Sequence, residues 1–315
     1  MNSSVSGLPL VTGATGFAGS HLVDRLLETH ERVHAWAHTS LPAADPRIHW
    51  QAVHLEARDS VERALADTRP SVVYHLAGLP HVAESWTKSR QALHVNAFGT
   101  HLLLDAIMRL DLDPLVVVVS SALVYRPAVE ALAEDHPLGP ADPYGVSKLA
   151  QEMSAVRSRV RAIVARPFNH AGPRQSTAFA LSSFARQIVD IETGRAAPVL
   201  HVGNLDARRD ITDVRDTVRA YERLATSGQP GRPYNVCRGT AYRVGDLLEQ
   251  LLGMAQVRVE VKQDPERMRP SDNPLVLGNP ARVTGDTGWR AEIPMEQTLR
   301  DLLEWWRQRS GDIRQ

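Results

Sequence analysis

The apolar positions in the first half of the chain form short runs that alternate with longer, helically spaced segments. Short apolar runs between turn residues are typical of buried strands, and apolar residues three or four positions apart indicate helices. Strict alternation of the two favours right-handed crossovers and a parallel sheet with helices on both faces. The predicted strands cover residues 8–12, 32–37, 53–55, 72–77, 115–120 and 162–165, and the predicted helices cover 19–29, 61–67, 97–110 and 144–159.

The pattern changes after residue 166, where proline and glycine become frequent and the strand signals scatter. A strand at 234–237 is predicted to return to the first sheet, whereas helices at 244–252 and 295–307 are assigned to a second lobe. The predicted fold is α/β, a doubly wound parallel sheet with a smaller mixed α/β substrate lobe. The first lobe takes residues 1–166 and about 211–240, and the second takes 167–210 and 241–315.

Three glycines follow the first predicted strand and open the first predicted helix, in the order G-x-x-G-x-x-G. Gly13 suits a tight turn, Gly16 lets the backbone approach a pyrophosphate, and Gly19 lets the helix pack closely on the sheet. The amides at the start of that helix then face the phosphates with a partial positive charge. Glycine turns also serve packing alone, but strand, turn and helix in this order predict a Rossmann-type dinucleotide site.

The end of the second strand bears on which dinucleotide binds. An NAD site usually carries an acidic residue there for the ribose 2′-hydroxyl, whereas this chain has His38, Thr39 and Ser40. These side chains can hydrogen-bond a 2′-phosphate without repelling it, so NADP(H) is predicted, with NAD(H) as the alternative. Glu56 follows the third predicted strand, where it either contacts the adenine amino group or caps the next helix.

A tyrosine and a lysine lie four residues apart in the predicted helix 144–159. Four residues is close to one helical turn, so Tyr144 and Lys148 share a face. A nearby ammonium group is expected to lower the pKa of the phenol, which makes Tyr144 the predicted proton-handling residue. Ser120 and Ser121 end the fifth strand, where a hydroxyl can hold a substrate oxygen as charge develops on it. Such Tyr/Lys pairs also arise by chance on helices. The glycine turn and the two serines in the same chain are what favour a catalytic role for this pair.

These motifs together resemble the extended short-chain dehydrogenase/reductases. The Ser-Ser-x-x-x-Tyr turn of that family matches residues 120–125, with Arg126 following where the family commonly has glycine. The resemblance implies a catalytic triad of Ser121, Tyr144 and Lys148, and it matches Asn96 to the family's strand-end asparagine. The residues that it assigns to the cofactor are Gly13, Thr15, Gly16, Phe17, Gly19, His38, Glu56, Ala57, Leu76, Ala77, Gly78, Asn96, Ser120, Tyr144, Lys148 and Arg166.

Segments further along are similar to those of GDP-mannose dehydratases and GDP-4-keto-6-deoxymannose reductases. They include residues 81–86, 166–175, 202–216, 234–237 and 269–272. The resemblance implies a nucleotide-sugar substrate whose diphosphate contacts Asn169, Arg209 and Arg269, and guanidinium forks suit phosphate oxygens. Arg209 can instead pair with surface aspartates, and Ser85 either contacts a sugar hydroxyl or caps a helix. The full set of substrate-contacting residues is Ser85, Ser121, Asn169, His170, Arg174, Arg209 and Arg269.

One position distinguishes between the reactions of this group. Its dehydratases place a glutamate two residues after the catalytic serine or threonine, and this chain has Leu123 there. Leucine cannot accept a proton, which disfavours dehydration unless Glu84 or Glu134 substitutes. The predicted reaction is therefore NADPH-dependent reduction of the C4 ketone of a GDP-4-keto-6-deoxy-hexose, giving GDP-rhamnose or GDP-6-deoxytalose. A GDP-mannose 4,6-dehydratase, an NDP-sugar 4-epimerase and a non-enzymatic dinucleotide-binding sensor are the alternatives.

Composition and charge disfavour several classes of binding partner. The chain has 36 basic and 36 acidic residues, which disfavours nucleic acid because proteins that neutralise many phosphates show a basic excess. No apolar run reaches the ~18 residues of a membrane span, residues 1–8 do not look like a signal peptide, and the single cysteine fits a reducing cytoplasm. No metal site is expected, because the thirteen histidines have no cysteine or carboxylate cluster beside them.

The same resemblance implies an assembly. Related proteins commonly dimerise by pairing two helices of each copy into a four-helix bundle, and the matching helices here lie near residues 100–108 and 144–157. Ala150 and Met153 fit the exposed face of the second helix. The expected assembly is a homodimer, although packing against the sheet explains these two side chains equally well.

Overall fold

The computed structural model describes residues 7–39, 41–42, 45–80, 82–268 and 273–312. Its strands are β1 (Pro9–Thr12), β2 (Val33–Ala37), β3 (Ile48–Ala52), β4 (Val72–His75), β5 (Leu115–Val119), β6 (Ala162–Pro167), β7 (Asn169–Ala171), β8 (Val199–Val202), β9 (Arg208–Asp213), β10 (Pro233–Val236), β11 (Ala241–Arg243), β12 (Glu260–Gln263) and β13 (Leu275–Val276). Its helices are α1 (Phe17–Leu26), α2 (Arg58–Thr68), α3 (Val82–Ser85), α4 (Ser89–Ala92), α5 (Gly99–Arg109), α6 (Pro143–Arg157), α7 (Ala180–Glu192), α8 (Val214–Ser227), α9 (Val244–Gly253), α10 (Ala281–Thr287) and α11 (Met295–Asp312). A π-helical turn (Leu93–Phe98) joins α4 to α5, and 3-10 turns lie at Ala122–Val124 and Pro265–Arg267.

Seven strands form the main sheet in the order β10-β6-β5-β4-β1-β2-β3, and every neighbouring pair is parallel. The predicted doubly wound parallel sheet is therefore confirmed, including the late strand that returns to its edge. The strands β2 and β3 follow β1 on one side, whereas β4, β5 and β6 follow on its other side, so the strand order reverses between β1 and β4. In such sheets the ligand crevice lies at this reversal, beyond the carboxyl ends of the strands.

Two apolar cores cover the two faces of this sheet. One contains residues of α1 and α8, among them Leu22 and Tyr221, and the other contains residues of α2, α5 and α6. The strand β5 contributes to both cores: Val117 belongs to the first, and Val116 and Val118 belong to the second. None of the three side chains has exposed surface. A strand that is buried on both faces shows an uninterrupted apolar run, which is why its sequence predicted it.

The third strand lies at residues 48–52, so the prediction of a strand at 53–55 is wrong. β3 forms the free edge of the sheet, beyond β2. Its side chains are half-buried or exposed, and polar residues alternate with Ile48 and Trp50. An edge strand needs apolar residues on one face only, so it lacks the continuous run that marks a buried strand.

A separate core holds the second lobe together. It is built from residues of α7, α9, α11 and the strands β8 and β9, among them Phe184, Leu248 and Leu299. Residues 281–289 were assigned to this lobe from sequence, but Val283 and Trp289 pack into the core of the first lobe, against α8. The indole of Trp289 is 1% exposed, and its Nε1 donates to the carbonyl of Asp216 at 3.0 Å.

Five helices were not predicted from sequence, namely α3, α4, α7, α8 and α10, and the two longest of these are α7 and α8. Both carry apolar residues at helical spacing, as in Leu181, Phe184, Ala185 and Ile188 of α7, which form its buried face. This periodicity is the signal that could have found them.

In the part of the chain that the structure describes, no helix is long and apolar enough to cross a membrane, and no cluster of three His, Cys, Asp or Glu side chains could hold a metal ion.

Replacing Trp289 by alanine is expected to lower the free energy of unfolding by about 3–5 kcal/mol, because it empties a fully buried site and removes the bond to Asp216. Urea denaturation followed by circular dichroism measures the change. Trp86→Ala is the matched control, since Trp86 is 58% exposed and its loss is expected to cost less than about 1 kcal/mol. Equal losses in the two variants would show that Trp289 does not anchor α10.

Candidate active site

A cleft of about 1360 Å³ runs along the carboxyl edge of the main sheet and continues between the sheet and the second lobe. Single ligands usually occupy pockets of roughly 300–1000 Å³, so this cleft has room for two. At one end it is lined by the glycine turn after β1, and at the other by Phe184, His201 and Val244 of the second lobe.

The glycine turn forms the floor of the first end. Gly13 adopts φ +67°, and a Cβ placed there would lie 2.7 Å from the amide nitrogen of Ala77. A Cβ on Gly19 would lie 2.1 Å from the carbonyl oxygen of Gly13, so α1 can pack this closely on β1 only with glycine at that position. The first turn of α1 carries no acidic residue. Its free amides therefore present an unopposed positive end to the cleft, which suits a pyrophosphate.

The adenine end of the predicted cofactor site lies beyond β2. His38 lines the cleft there, with its ring edge-on to that of His54 at 4.9 Å. Ser40 is outside the described residues. Glu56 also lines the cleft, and its carboxylate accepts from His94 Nδ1 at 2.6 Å, so it does not cap α2. The assignment of Ala57 to the cofactor is not supported, because this residue begins α2 and does not line the cleft.

Ser121 and Tyr144 meet in the middle of the cleft. Ser121 is the N-cap of the 3-10 turn, where its Oγ accepts from the amide of Leu123 at 3.1 Å, and its hydroxyl acts to lower the pKa of Tyr144. Tyr144 lies in the first turn of α6, and the carboxylate of Asp142 caps this turn by accepting from the amide of Gly145 at 2.8 Å. The two hydroxyl groups therefore come from different elements and face the same space.

The electrostatics of this pair differ from the sequence expectation. Burial raises the pKa of Tyr144 to about 12, against the opposing effect of the Ser121 hydrogen bond. Burial also lowers the pKa of Lys148 to about 7, and its Nζ donates to the carbonyl of Val119 and to Gln151 Oε1, both at 2.7 Å. The prediction that the lysine lowers the pKa of the phenol is thus wrong for this structure. Tyr144 keeps its proton at neutral pH, which is the state of a proton donor.

Asn96 does not lie at a strand end, as the resemblance implied, but in the π-helical turn that precedes α5. It is fully buried and does not line the cleft. Its Oδ1 accepts from the amide of Leu79 at 2.8 Å, and its Nδ2 donates to Ser147 Oγ at 2.9 Å. It therefore ties the loop after β4, whose Gly78 and Leu79 line the cleft, to α6, and its contact with a cofactor stays a prediction.

Arg126 occupies the position after Tyr125 without distorting the serine turn. The described residues other than glycine with positive φ are Arg69, Asp111 and Arg174, so Arg126 does not need the left-handed conformation that favours glycine. Its amide donates to the carbonyl of Pro137 at 2.9 Å, and its side chain lines the cleft.

Three further residues assigned to ligands from sequence lie outside the cleft lining. Arg166 is buried and donates to the carboxylate of Glu152 at 2.8 Å and to the Tyr125 hydroxyl at 2.9 Å. Arg174 pairs with Asp24 at 2.7 Å. The Ser85 hydroxyl donates to the carbonyl of Val82 at 2.7 Å within α3. The structure thus gives each of the three residues a partner within the protein, and their contacts with a ligand stay a prediction.

The side of the cleft that faces the second lobe contains the remaining candidates. Asn169, His170 and Arg209 line it, and the ring of His170 stacks on Phe17 at 5.5 Å between centroids. Asp206 pairs with Arg243 rather than with Arg209. Arg269 lies outside the described residues. Sequence analysis did not name several cleft residues of this lobe, because no motif marks them: Phe179, Phe184, His201, Asn204, Val244 and Arg267.

The cleft has no glutamate where a dehydratase carries its base. Leu123 lines the cleft beside Ser121. Neither of the two glutamates considered as substitutes lines it: Glu84 pairs with Lys88 at 2.9 Å, and Glu134 accepts from the amide of Asn235 at 2.9 Å. Substitution of the missing base by either residue is thus excluded by position.

Comparison with known proteins agrees with this arrangement. The family model described as GDP-mannose 4,6 dehydratase matches residues 10–302. A GDP-6-deoxy-D-mannose reductase of Pseudomonas aeruginosa is 37% identical over 306 residues, which is 95% of this chain and 97% of that protein. The structure of RMD from Pseudomonas aeruginosa complexed with NADPH has a TM-score of 0.85 at 35% identity, covering 96% of this chain and 99% of that one. MoeE5 in complex with UDP-glucuronic acid and NAD has a TM-score of 0.84 at 28% identity, with 96% and 100% covered.

The matched region includes the glycine turn, the Ser121–Tyr144–Lys148 group and both lobes of the cleft. The chain therefore belongs to the GDP-mannose 4,6-dehydratase family, among the extended short-chain dehydrogenase/reductases.

Proposed function

We propose that this protein is an NADPH-dependent reductase of the C4 ketone of a GDP-4-keto-6-deoxy-hexose. The observation that carries the proposal is Leu123 in the cleft, beside Ser121 and Tyr144. The site keeps a proton donor for a ketone oxygen but has an apolar side chain where dehydration needs a base. The similar reductase of Pseudomonas aeruginosa supports the same substrate class.

NADP(H) is the proposed cofactor. Its support is the absence of a carboxylate among the described residues that end β2, together with the NADPH bound in the similar structure. NAD(H) is the second candidate, because MoeE5 binds NAD. The residues present fit a dinucleotide, since the glycine turn leaves room for its phosphates and the buried Ser120 Oγ has no partner among the described residues.

Bound NADPH supplies the hydride for C4 of the sugar. The hydroxyls of Ser121 and Tyr144 hold the ketone oxygen, because both face the same point of the cleft. As negative charge develops on that oxygen, Tyr144 gives up its proton to it. With the N–H that is not bonded to Val119 or Gln151, Lys148 would hold a hydroxyl of the nicotinamide ribose.

An epimerase would use the same groups, but its first step is oxidation of the sugar hydroxyl rather than reduction of a ketone. It begins by removing a proton from the sugar hydroxyl, which requires Tyr144 as a phenolate. Burial raises the pKa of Tyr144, which works against the phenolate that this first step requires. The buried, unpaired Cys237 fits a reducing compartment, and we propose that the enzyme works in the cytoplasm.

We also propose a homodimer formed by α5, α6 and their copies. Phe98 and Met108 are 42% exposed, and Val146 and Met153 are 46% and 47% exposed. Val146, Ala150 and Met153 are spaced by four and three residues, so they share one face of α6. Two adjacent helices with exposed apolar side chains form the half of a four-helix bundle that a second copy would complete.

Tyr144→Phe is expected to reduce kcat with NADPH and GDP-4-keto-6-deoxymannose by at least about 100-fold, because it removes the proton donor. The Kd for NADPH is expected to change by less than about twofold. Loss of absorbance at the nicotinamide band measures turnover. Tyr242→Phe, which removes a hydroxyl on β11 outside the cleft lining, is the control and is expected to keep wild-type turnover. Turnover of a UDP- or dTDP-sugar by the wild type, without turnover of the GDP-sugar, would reject the assignment.

The pH dependence of NADPH capture is expected to follow Lys148. With a pKa of about 7, the side chain becomes a neutral amine above neutrality, and its two remaining N–H groups are used by Val119 and Gln151. We expect kcat/KM for NADPH to be level below about pH 7 and to fall up to tenfold per pH unit above it. Initial rates between about pH 6.5 and pH 9 measure this. A level profile across that range would show that the neutral amine serves equally well.

A Phe98→Glu/Met153→Glu double variant is expected to sediment as a monomer, because it places charges on the proposed bundle face. The wild type is expected at about twice the 34.8 kDa of one chain. Val129→Glu, at a site 78% exposed and outside α5 and α6, controls for the added charge and should leave the dimer intact. A double variant with wild-type mass would place the interface elsewhere.

A further inference from the structure

Tyr221 reaches the cleft from the interior of the molecule. It lies in the middle of α8, has no exposed surface, and belongs to the core on the face of the sheet that α1 and α8 cover. It is nevertheless one of the residues that line the cleft. The proposed mechanism gives it no role, and no motif in the sequence marked it.

The hydroxyl of Tyr221 is buried and has no hydrogen-bond partner among the described residues. Two other tyrosines of the interior are paired: the Tyr125 hydroxyl donates to Asn235 Oδ1, and that of Tyr234 donates to Asp286 Oδ2, both at 2.7 Å. Buried polar groups without a partner are uncommon, because the group has lost its hydration and gained nothing in return. An unpaired hydroxyl that lines a ligand cleft therefore points to a partner on the ligand.

The position of Tyr221 indicates which part of a bound dinucleotide its hydroxyl would contact. The helix α8 packs on β5 and β6, and Tyr221 lines the same cleft as Tyr144. The two tyrosines come from opposite sides of the sheet, since α6 packs on the face with α2 and α5. Ser120, whose Oγ is also buried and unpaired, ends β5 in the same cleft. Ser120 lies between the end of β5 and Ser121, so the hydroxyls of Ser120 and Tyr221, which have no partner among the described residues, lie in the part of the cleft that β5 helps to form.

We propose that the Tyr221 hydroxyl binds the carboxamide of the nicotinamide ring and so fixes which face of the ring is turned towards Tyr144 and the ketone. A carboxamide offers an acceptor and two donors, and a phenol can both donate and accept. Burial raises the pKa of Tyr221 and keeps it uncharged at every working pH. Tyr221 is in this role a positioning residue for hydride transfer. The inference rests on the proposed nicotinamide cofactor.

Tyr221→Phe tests the proposal by binding rather than by turnover. The variant keeps the ring in the core and removes only the oxygen. NADPH is expected to bind it about fivefold more weakly than the wild type, which is the effect of one lost hydrogen bond. Binding of 2′,5′-ADP, which lacks the nicotinamide and its ribose, is expected to be unchanged. Isothermal titration calorimetry of the purified protein measures both constants.

Tyr74→Phe is the matched control. Tyr74 is a buried tyrosine of the same core but does not line the cleft, and its variant is expected to bind both ligands as the wild type does. Unchanged NADPH binding in Tyr221→Phe, or equal weakening for NADPH and 2′,5′-ADP, would overturn the proposal. A wild-type protein that binds neither ligand would instead refute the proposed cofactor, so the two failures are distinguishable.

Discussion

The close contact between β1 and α1 is the constraint on which the site depends. Gly19 packs so tightly on the carbonyl of Gly13 that no side chain fits between them. This contact sets the first amides of α1 at the carboxyl edge of the sheet, where the phosphates of a dinucleotide can be held. Because every strand of the main sheet is parallel, the residues that follow β2, β4, β5 and β6 arrive at the same edge. The cleft is thus a consequence of strand direction as much as of its lining residues.

Sequence predicted the interior of the fold better than its margins. Strands such as β5 are apolar without interruption because both faces are buried, and this pattern has one structural interpretation. The edge strand β3 was misplaced because only one of its faces needs apolar residues. The helices α7 and α8 were missed although their apolar spacing is regular; prolines and glycines flank α7 on both sides and favoured irregular structure there.

The candidate site shows a similar division. Gly13, Tyr144 and Lys148 could be placed because each motif specifies both the element and the face that the side chain takes. The buried partners of Arg166 and Asn96, Glu152 and Ser147, could not be predicted, because they are unmarked in the sequence and become neighbours only through packing. The raised pKa of a phenol cannot be derived from residue spacing either, since it reflects how completely the surrounding elements exclude water.

The π-helical turn before α5 has a consequence for how this protein can change over evolution. A π-turn contains one residue more than the α-helical turn that it replaces, and in this one Asn96 is buried whereas Phe98 is exposed. Deleting a single residue from this segment would rotate the preceding part of the helix by about 100° relative to α5. Asn96 and Phe98 could then no longer both keep their orientations. Side chains in this segment can therefore be exchanged gradually, whereas its length can change only if the active-site loop and the outer helical surface are rebuilt together.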